Sequence, residues 1–366
     1  MRAARVLAAL AAACGALAVP AAAQQPADPV AVVRSAVEQV PSDAAHVRFD
    51  ARDSAGTPLD GLKVIQTTDG RNVGVYHAPV GGRFELYVGT STDLLHWTKT
   101  ATLDTDASQG TLAALPDGGY VVAYEWTKPD LATSVRNHLS LLAPPSPAAA
   151  AKADRIRIRF RYYATLERLL SGQISREFTA PRGLSMSAVG TPSIMSVAET
   201  PDLSNSRIEV GLHYRADTDG NGFPDDDRQG TAVLTNFSSW RPRVAGRLNT
   251  AFASATRPHR PYSKAPRGSF GDRDEITFDG VPMQLLEAQY RPNDFASWRL
   301  FLRDRRSGAL SAVRVATPGG STSFGNPTVT ELVAPDGKRA LMVTMFVFSE
   351  GAAPGEAGSL IFYREL

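Results

Sequence analysis

The chain has 366 residues, 43% hydrophobic and 21% charged, with a formal net charge of +2 at pH 7. That is the balance of a soluble globular protein with room for one large domain or two ordinary ones. It provides no global field to attract nucleic acid or an anionic membrane. With Gly 30 and Pro 25, the chain is rich in turns, which favours many short strands over long helices.

The first predicted element is an export signal over residues 1–23. Arg2 and Arg5 form a basic start, Val6 to Val19 is apolar and alanine-rich, and Pro20-Ala21-Ala22-Ala23 offers small residues for cleavage after Ala23. The apolar run is too short and too alanine-rich for a membrane anchor. The expected location is therefore secreted or periplasmic, without an integral membrane span. Cys14, the only cysteine, follows Ala12-Ala13, so lipidation at Cys14 is the lesser alternative. Cleavage after Ala23 leaves no cysteine and hence no disulfide. Removing Arg2 and Arg5 from the 39 basic residues leaves 37, equal to the 37 acidic ones.

Residues 24–45 read as a lead-in segment with a short amphipathic helix over Pro29 to Val40. From His46 to Leu366 the chain reads as five unequal strand-turn-strand repeats. The first begins at Asp60-Gly61 and runs through Leu62 to Ile65, Val73 to His77 and Phe84 to Val88. It closes on Ser91-Thr92-Asp93-Leu94-Leu95-His96-Trp97. The second has an inner strand from Gly110 to Leu115 and a second strand from Tyr120 to Tyr124. An Ala-Pro-rich loop from Leu141 to Lys152 precedes Arg155 to Arg161, which alternates with period two and reads as a strand. The third spans Gly190-Thr191-Pro192, Ile208 to Tyr214 and Thr231 to Trp240, whose Ser238-Ser239-Trp240 echoes the close of the first. The fourth has Asp274 to Phe278, Met283 to Gln289 and Trp298 to Leu302. The fifth runs from Gly325-Asn326-Pro327 to Leu360-Ile361-Phe362-Tyr363. Gly-Thr-Pro and Gly-Asn-Pro stand in equivalent places. The fold class expected is all-β, a five-bladed β-propeller of four-stranded antiparallel sheets, closed by pairing Leu360–Tyr363 near 46–49. The alternative is a two-sheet sandwich with long insertions.

Asp60, the Ser91-to-Trp97 segment and the Leu112-to-Tyr124 strand-turn-strand together resemble the five-bladed propeller glycosidases of the glycoside hydrolase family 43 clan. The resemblance covers most of 46–366 as architecture and only the first repeat as motif. It implies a glycoside hydrolase acting on a pentose-containing polysaccharide or oligosaccharide, with a carbohydrate partner. A first-blade aspartate would be the base, a later glutamate the acid, and a further aspartate would tune the acid. Asp60 matches the base, although Gly61 follows it where the family has proline. Glu275 is the candidate acid because it enters the fourth inner strand, and Asp274 is the alternative, since neighbouring strand residues face opposite ways. Thr191-Pro192 stands where the tuning aspartate is expected. Arg273, Gln109, Asn326 and Glu287 are the candidates for holding substrate. The residues alone also allow plainer roles: a β-turn aspartate at Asp60, a salt-bridged strand residue at Glu275, and packed histidines at His77 and His213. A non-catalytic glycan-binding propeller is the second functional reading.

Two further features stand out. Asp217, Asp219, Asn221 and Asp225 supply oxygens at positions one, three, five and nine of a loop, with Gly222 at six and the Phe223 carbonyl at seven. That pattern suits calcium, bound at about 10⁻⁴–10⁻³ M as in extracellular modules. Arg228 occupies position twelve, so the loop is not an EF-hand. Finally, Arg155, Arg157, Arg159 and Arg161 share one strand face, expected to be a solvated outer face.

Overall fold

The computed structural model describes residues 27–127, 156–181, 183–184, 189–198, 203–216, 226–255, 270–271, 273–291 and 294–366. A helix α1 (Pro29–Glu38) leads in, capped by the Asp28 carboxylate, which accepts from the Val30 amide at 3.2 Å, with proline in its first turn. Such a start is favourable because proline's missing N–H would have had no helical partner. Val33 and Val37 of α1 are fully buried against the fourth and fifth blades.

Strand β1 (Val47–Arg48) belongs to the last blade, and the others follow in order. Blade 1 is β2 (Asp60–Gln66), β3 (Asn72–Val80), β4 (Arg83–Ser91) and β5 (Thr98–Thr105). Blade 2 is β6 (Ala107–Ala114), β7 (Tyr120–Thr127), β8 (Ile156–Tyr163) and β9 (Arg176–Thr179), with the short helix α2 (Leu166–Leu170) between its last two strands. Blade 3 is β10 (Val189–Val197), β11 (Arg207–Ala216), β12 (Asp226–Thr235) and β13 (Ser239–Val244), followed by helix α3 (Gly246–Ala255). Blade 4 is β14 (Arg273–Phe278), β15 (Val281–Gln289), β16 (Trp298–Asp304) and β17 (Leu310–Val313). Blade 5 is β18 (Phe324–Val333), β19 (Arg339–Val347), β20 (Gly358–Glu365) and then β1.

All pairings between named strands are antiparallel, and the first strands β2, β6, β10, β14 and β18 each touch the next around a closed ring. Five separate sheets arranged in a ring exclude the sandwich. The ring closes as the sequence predicts, with Val47 opposite Phe362 and Arg48 opposite Ile361. A second seam lies at the inner strands of blades 1 and 5. Thr328 and Thr344 both donate their hydroxyls to the Leu62 carbonyl, at 3.0 and 2.7 Å, and Thr330 donates to that of Val64.

The Ser91-to-Trp97 segment forms the turn from β4 to β5. Asp93 accepts from the Leu95 and His96 amides at 3.0 and 2.8 Å, while the buried Trp97 indole donates to the Leu94 carbonyl. Trp240 enters the last strand of blade 3 at the corresponding place.

The arginine strand departs from expectation. Arg155 lies outside the described residues, but the Arg159 and Arg161 side chains are only 12% and 9% exposed. Both reach Asp104 of β5 and Glu177 of β9, and Arg159 stacks 3.5 Å over the Trp126 ring. Burial of these cations is tolerable because two carboxylates and an aromatic face replace the lost water. The strand thus forms part of the seam between blades 1 and 2.

Two buried carboxylates make the fold sensitive to acid. Burial works to raise the pKa of Asp53, but hydrogen bonds from Tyr76, Thr57 and Ala55 together hold it below the usual carboxylate range. Glu356 behaves likewise: burial opposes ionisation, and Ser321, Thr317 and the Gly319 amide outweigh it. A carboxylate with a lowered folded pKa stabilises the fold above its unfolded pKa, and that contribution is lost as pH falls through the folded value. Urea midpoints should therefore hold near neutrality and fall below about pH 4. Glu356→Gln should flatten that fall, and an unchanged pH profile in the variant would remove Glu356 from the account.

Candidate active site

Four inner strands open with the same irregularity. Asp60 pairs with His77 but Lys63 with Val75, so one extra residue is inserted into β2. The same slip separates Ser108 from Thr111 in β6, Gly190 from Ser193 in β10, and Gly325 from Thr328 in β18. The second residue of each bulge is left-handed, with φ of 59° at Gly61, 51° at Gln109, 38° at Thr191 and 47° at Asn326. Three of these carry side chains, and threonine is β-branched, which makes the conformation costly. Strain repeated at one end of a channel is what functional sites retain.

Three of the four bulges are held by the second strand of the preceding blade. The Gln109 amide donates to His77 Nδ1 at 3.3 Å, the Thr191 amide to Glu125 Oε1 at 2.6 Å, and the Asn326 amide to Glu287 Oε2 at 2.6 Å. His77, Glu125 and Glu287 are 1%, 3% and 5% exposed. Room for the two glutamates comes from glycines: a Cβ at Gly190 would sit 2.1 Å from Glu125 Oε1, and one at Gly271 would sit 1.8 Å from Glu287 Oε1.

Asp60 lies among these groups and is the more open to solvent, its side chain 18% exposed. Its Oδ1 accepts from Asn326 Nδ2 at 2.8 Å, and its Oδ2 is 3.5 Å from His77 Nε2. Because His77 Nδ1 accepts the Gln109 amide proton, the neutral ring carries its own proton on Nε2, facing Asp60. Gln109 Nε2 donates to Asn326 Oδ1 at 3.3 Å. Asn326 therefore joins two carboxylates, Asp60 through its side chain and Glu287 through its amide. Across the mouth, Thr191 Oγ1 and His213 Nδ1 share a hydrogen bond.

Of the residues singled out in the sequence, the structure brings together Asp60, Gln109, Asn326 and Glu287. Glu275 lies elsewhere, taking a hydrogen bond from Gln284 Nε2 and pairing with Arg305 at 3.4 Å. Asp274, on the opposite strand face, is 3% exposed, pairs with Lys63 of blade 1 and accepts from the Val329 amide of blade 5 at 2.9 Å. Arg273 begins β14, and its side chain lies outside the described residues. The calcium-like loop with Asp217, Asp219, Asn221, Phe223 and Asp225 lies outside them too, as does the export signal. Sequence reasoning did not find Glu125, and it treated His77 as packing alone.

Sequence comparison finds no matching family model and no matching curated protein. Structural comparison is productive. A thermostable family-43 glycoside hydrolase superposes with a TM-score of 0.53 at 11% identity, over 87% of this chain and 92% of the other. An α-L-arabinofuranosidase from Lactobacillus brevis gives 0.51 at 9% identity, over 86% and 93%. The arabinanase Arb43A of Bacillus subtilis gives 0.50 at 11% identity, over 87% and 97%. The fold resembles that of the family-43 glycosidases. Identity this low establishes the family-43 fold alone. No helix among the described residues is long and apolar enough to cross a membrane.

Proposed function

We propose that this chain is an exported glycoside hydrolase that cleaves a pentose-containing polysaccharide or oligosaccharide, with Asp60 and Glu287 as its working carboxylates. The observation that carries the reading is Asn326, which fastens both groups at one mouth of a family-43 fold. Asp60, the more open group, would take the proton of the attacking water, and Glu287 would protonate the leaving oxygen. The sequence assigned the acid to Glu275, but Arg305 and Gln284 engage it away from Asp60, so Glu287 takes the role here. The sugar class is argued from the arabinan-directed enzymes of the same fold. The test is turnover of an arabinan, xylan and aryl-glycoside panel by the purified protein. Absence of cleavage across that panel would sink the reading.

A second reading, a non-catalytic glycan-binding propeller, has its own support. Glu287 and Glu125 each accept a main-chain amide, and that alone accounts for a buried carboxylate. Glycan binding without cleavage would decide for it.

Export and calcium belong to the same proposal. The secreted protein should begin at Gln24, and a chelator at fixed pH should lower its melting temperature through the 217–225 loop. An unchanged Tm counts against a structural ion.

A further inference from the structure

We propose that the outer edge of blade 3 is a docking surface for an anionic glycan, a polysaccharide bearing uronic acid carboxylates, held by Arg241, Arg243 and Arg247. Docking there is separate from cleavage, and it rests on the proposed carbohydrate reading only for the class of polymer.

Charge is unevenly spread along the chain. From Gln229 to Gly271 there is no aspartate or glutamate, yet the stretch holds six arginines and Lys264. Setting those seven bases aside leaves 32 basic residues against 37 acidic ones, so the remainder is net −5. A chain close to neutral overall is thus divided into one positive stretch and an acidic remainder.

Three of the seven bases lie among the described residues, and all three are exposed. Arg241 and Arg243 sit on β13, the last strand of its sheet. Two apart on a strand, they share one face and stand roughly 7 Å from each other. Arg247 follows in the first turn of α3. Among the described residues no ion pair or side-chain hydrogen bond engages any of the three. Exposed arginines elsewhere differ: Arg52, Arg71, Arg83, Arg207, Arg306 and Arg339 each reach a carboxylate.

Local structure does not account for the three. Charge or proline protects an edge strand from pairing with another, and Pro242, between the two arginines, already removes a donor from that edge. A cation in the first turn of a helix opposes the helix dipole, so Arg247 weakens α3. Unpaired charge held at such positions is accounted for by a partner outside the chain.

Carboxylate is the anion these groups suit. A guanidinium takes it through two parallel N–H···O bonds, and a polyuronate presents one on each sugar along an extended chain. Duplex DNA carries a charge about every 1.7 Å, and an anionic membrane is charged across its whole breadth. Both would press further negative charge against the acidic remainder of this protein. A single strand edge fits a polymer whose anions are strung along one line.

The experiment uses the full-length protein with sodium polygalacturonate as probe, beside neutral arabinan, duplex DNA and phosphatidylserine vesicles. Binding is read by calorimetry at about 50 and about 200 mM NaCl, folding by Tm and turnover by product release. Wild type should bind polygalacturonate and lose about tenfold in affinity over that salt range. A triple variant with Arg241→Ser, Arg243→Ser and Arg247→Ser should lose at least about tenfold at the lower salt. Lysine at the same three positions should bind between the two, since the charge stays and the planar fork is lost. A control with Arg52→Ser, Arg71→Ser and Arg83→Ser removes as much charge elsewhere and should bind as wild type does. No binding by wild type, wild-type binding by the serine triple, or an equal loss in the control overturns the surface. Tighter binding to DNA or vesicles than to polygalacturonate overturns the glycan as partner. Should the serine triple lose Tm, the lysine triple decides: binding no better than the serine triple overturns the surface. Turnover of neutral arabinan should not change in the serine triple, so a failed docking surface leaves the hydrolase reading standing. Docking by a protein that never cleaves sustains the surface and removes the hydrolase.

Discussion

Asp60→Asn should lower kcat/KM by about a hundred- to ten-thousandfold while changing stability by less than roughly 1 kcal/mol, because a general base contributes about 10²–10⁴ in rate and a neutral hydrogen bond replaces a charged one. The asparagine oxygen can still accept from Asn326 Nδ2, as Asp60 Oδ1 does at 2.8 Å. The basic oxygen facing His77 is replaced by an NH2 that meets the Nε2–H donor to donor, a mismatch eased by the solvent open to this side chain. Glu287→Gln separates the two roles. An acid matters most when the leaving group needs its proton, so this variant should fail on arabinan and keep much more of its rate on an aryl glycoside with an acidic phenol. Equal losses on both substrates would argue against Glu287 as the acid. Full activity in Asp60→Asn would remove Asp60 from the chemistry altogether.

The parts of the fold legible in the sequence were those with strong local signals. Turn residues flank β2, β3 and β4, and the alternation of β8 marks it as a strand. The closing pair was legible because a ring leaves no free edge only when strands from the two ends of the chain share a blade. The outer strands were harder. In β5 and β13 exposed and half-buried residues predominate and only Leu103 is buried, so their pairing comes from the neighbouring strand more than from their own burial pattern. β19 escaped for the opposite reason. It is buried along nearly its whole length and shows no period to read.

The site divides along the same line. Asp60 and Asn326 were visible because Asp-Gly and Gly-Asn-Pro punctuate the starts of inner strands. The acid was sought on an inner strand as well, which led to Glu275. The glutamates at the mouth instead arrive from second strands, Glu125 on β7 and Glu287 on β15, through gaps left by Gly190 and Gly271. The readable signal was a glycine at the head of one inner strand facing a glutamate inside an otherwise apolar strand. Glu287 carried that mark, and the interruption it makes in Leu285-Leu286-Glu287-Ala288 is the trace of its position.

Asp274 is the sharper case, because the sequence offered it as a catalytic group and the structure gives it a mechanical one. It connects three blades at the axis: its own strand β14, Lys63 of β2 and the Val329 amide of β18. The two side chains are 5% and 12% exposed. Removing one partner leaves the other charge buried and unpaired, at a cost of about 3–5 kcal/mol. With unfolding entropy near 2.1 cal/mol/K per residue over 366 residues, Asp274→Asn should lower Tm by roughly 4–7 °C. Adding Lys63→Met should recover most of that loss, since the asparagine oxygen still accepts from Val329 and no charge remains stranded. The double variant, folded and without the carboxylate, then isolates the chemistry. Its kcat/KM should stay within a few-fold of wild type. A thousandfold loss in that well-folded protein would return Asp274 to the mechanism and displace Glu287 as the proton donor.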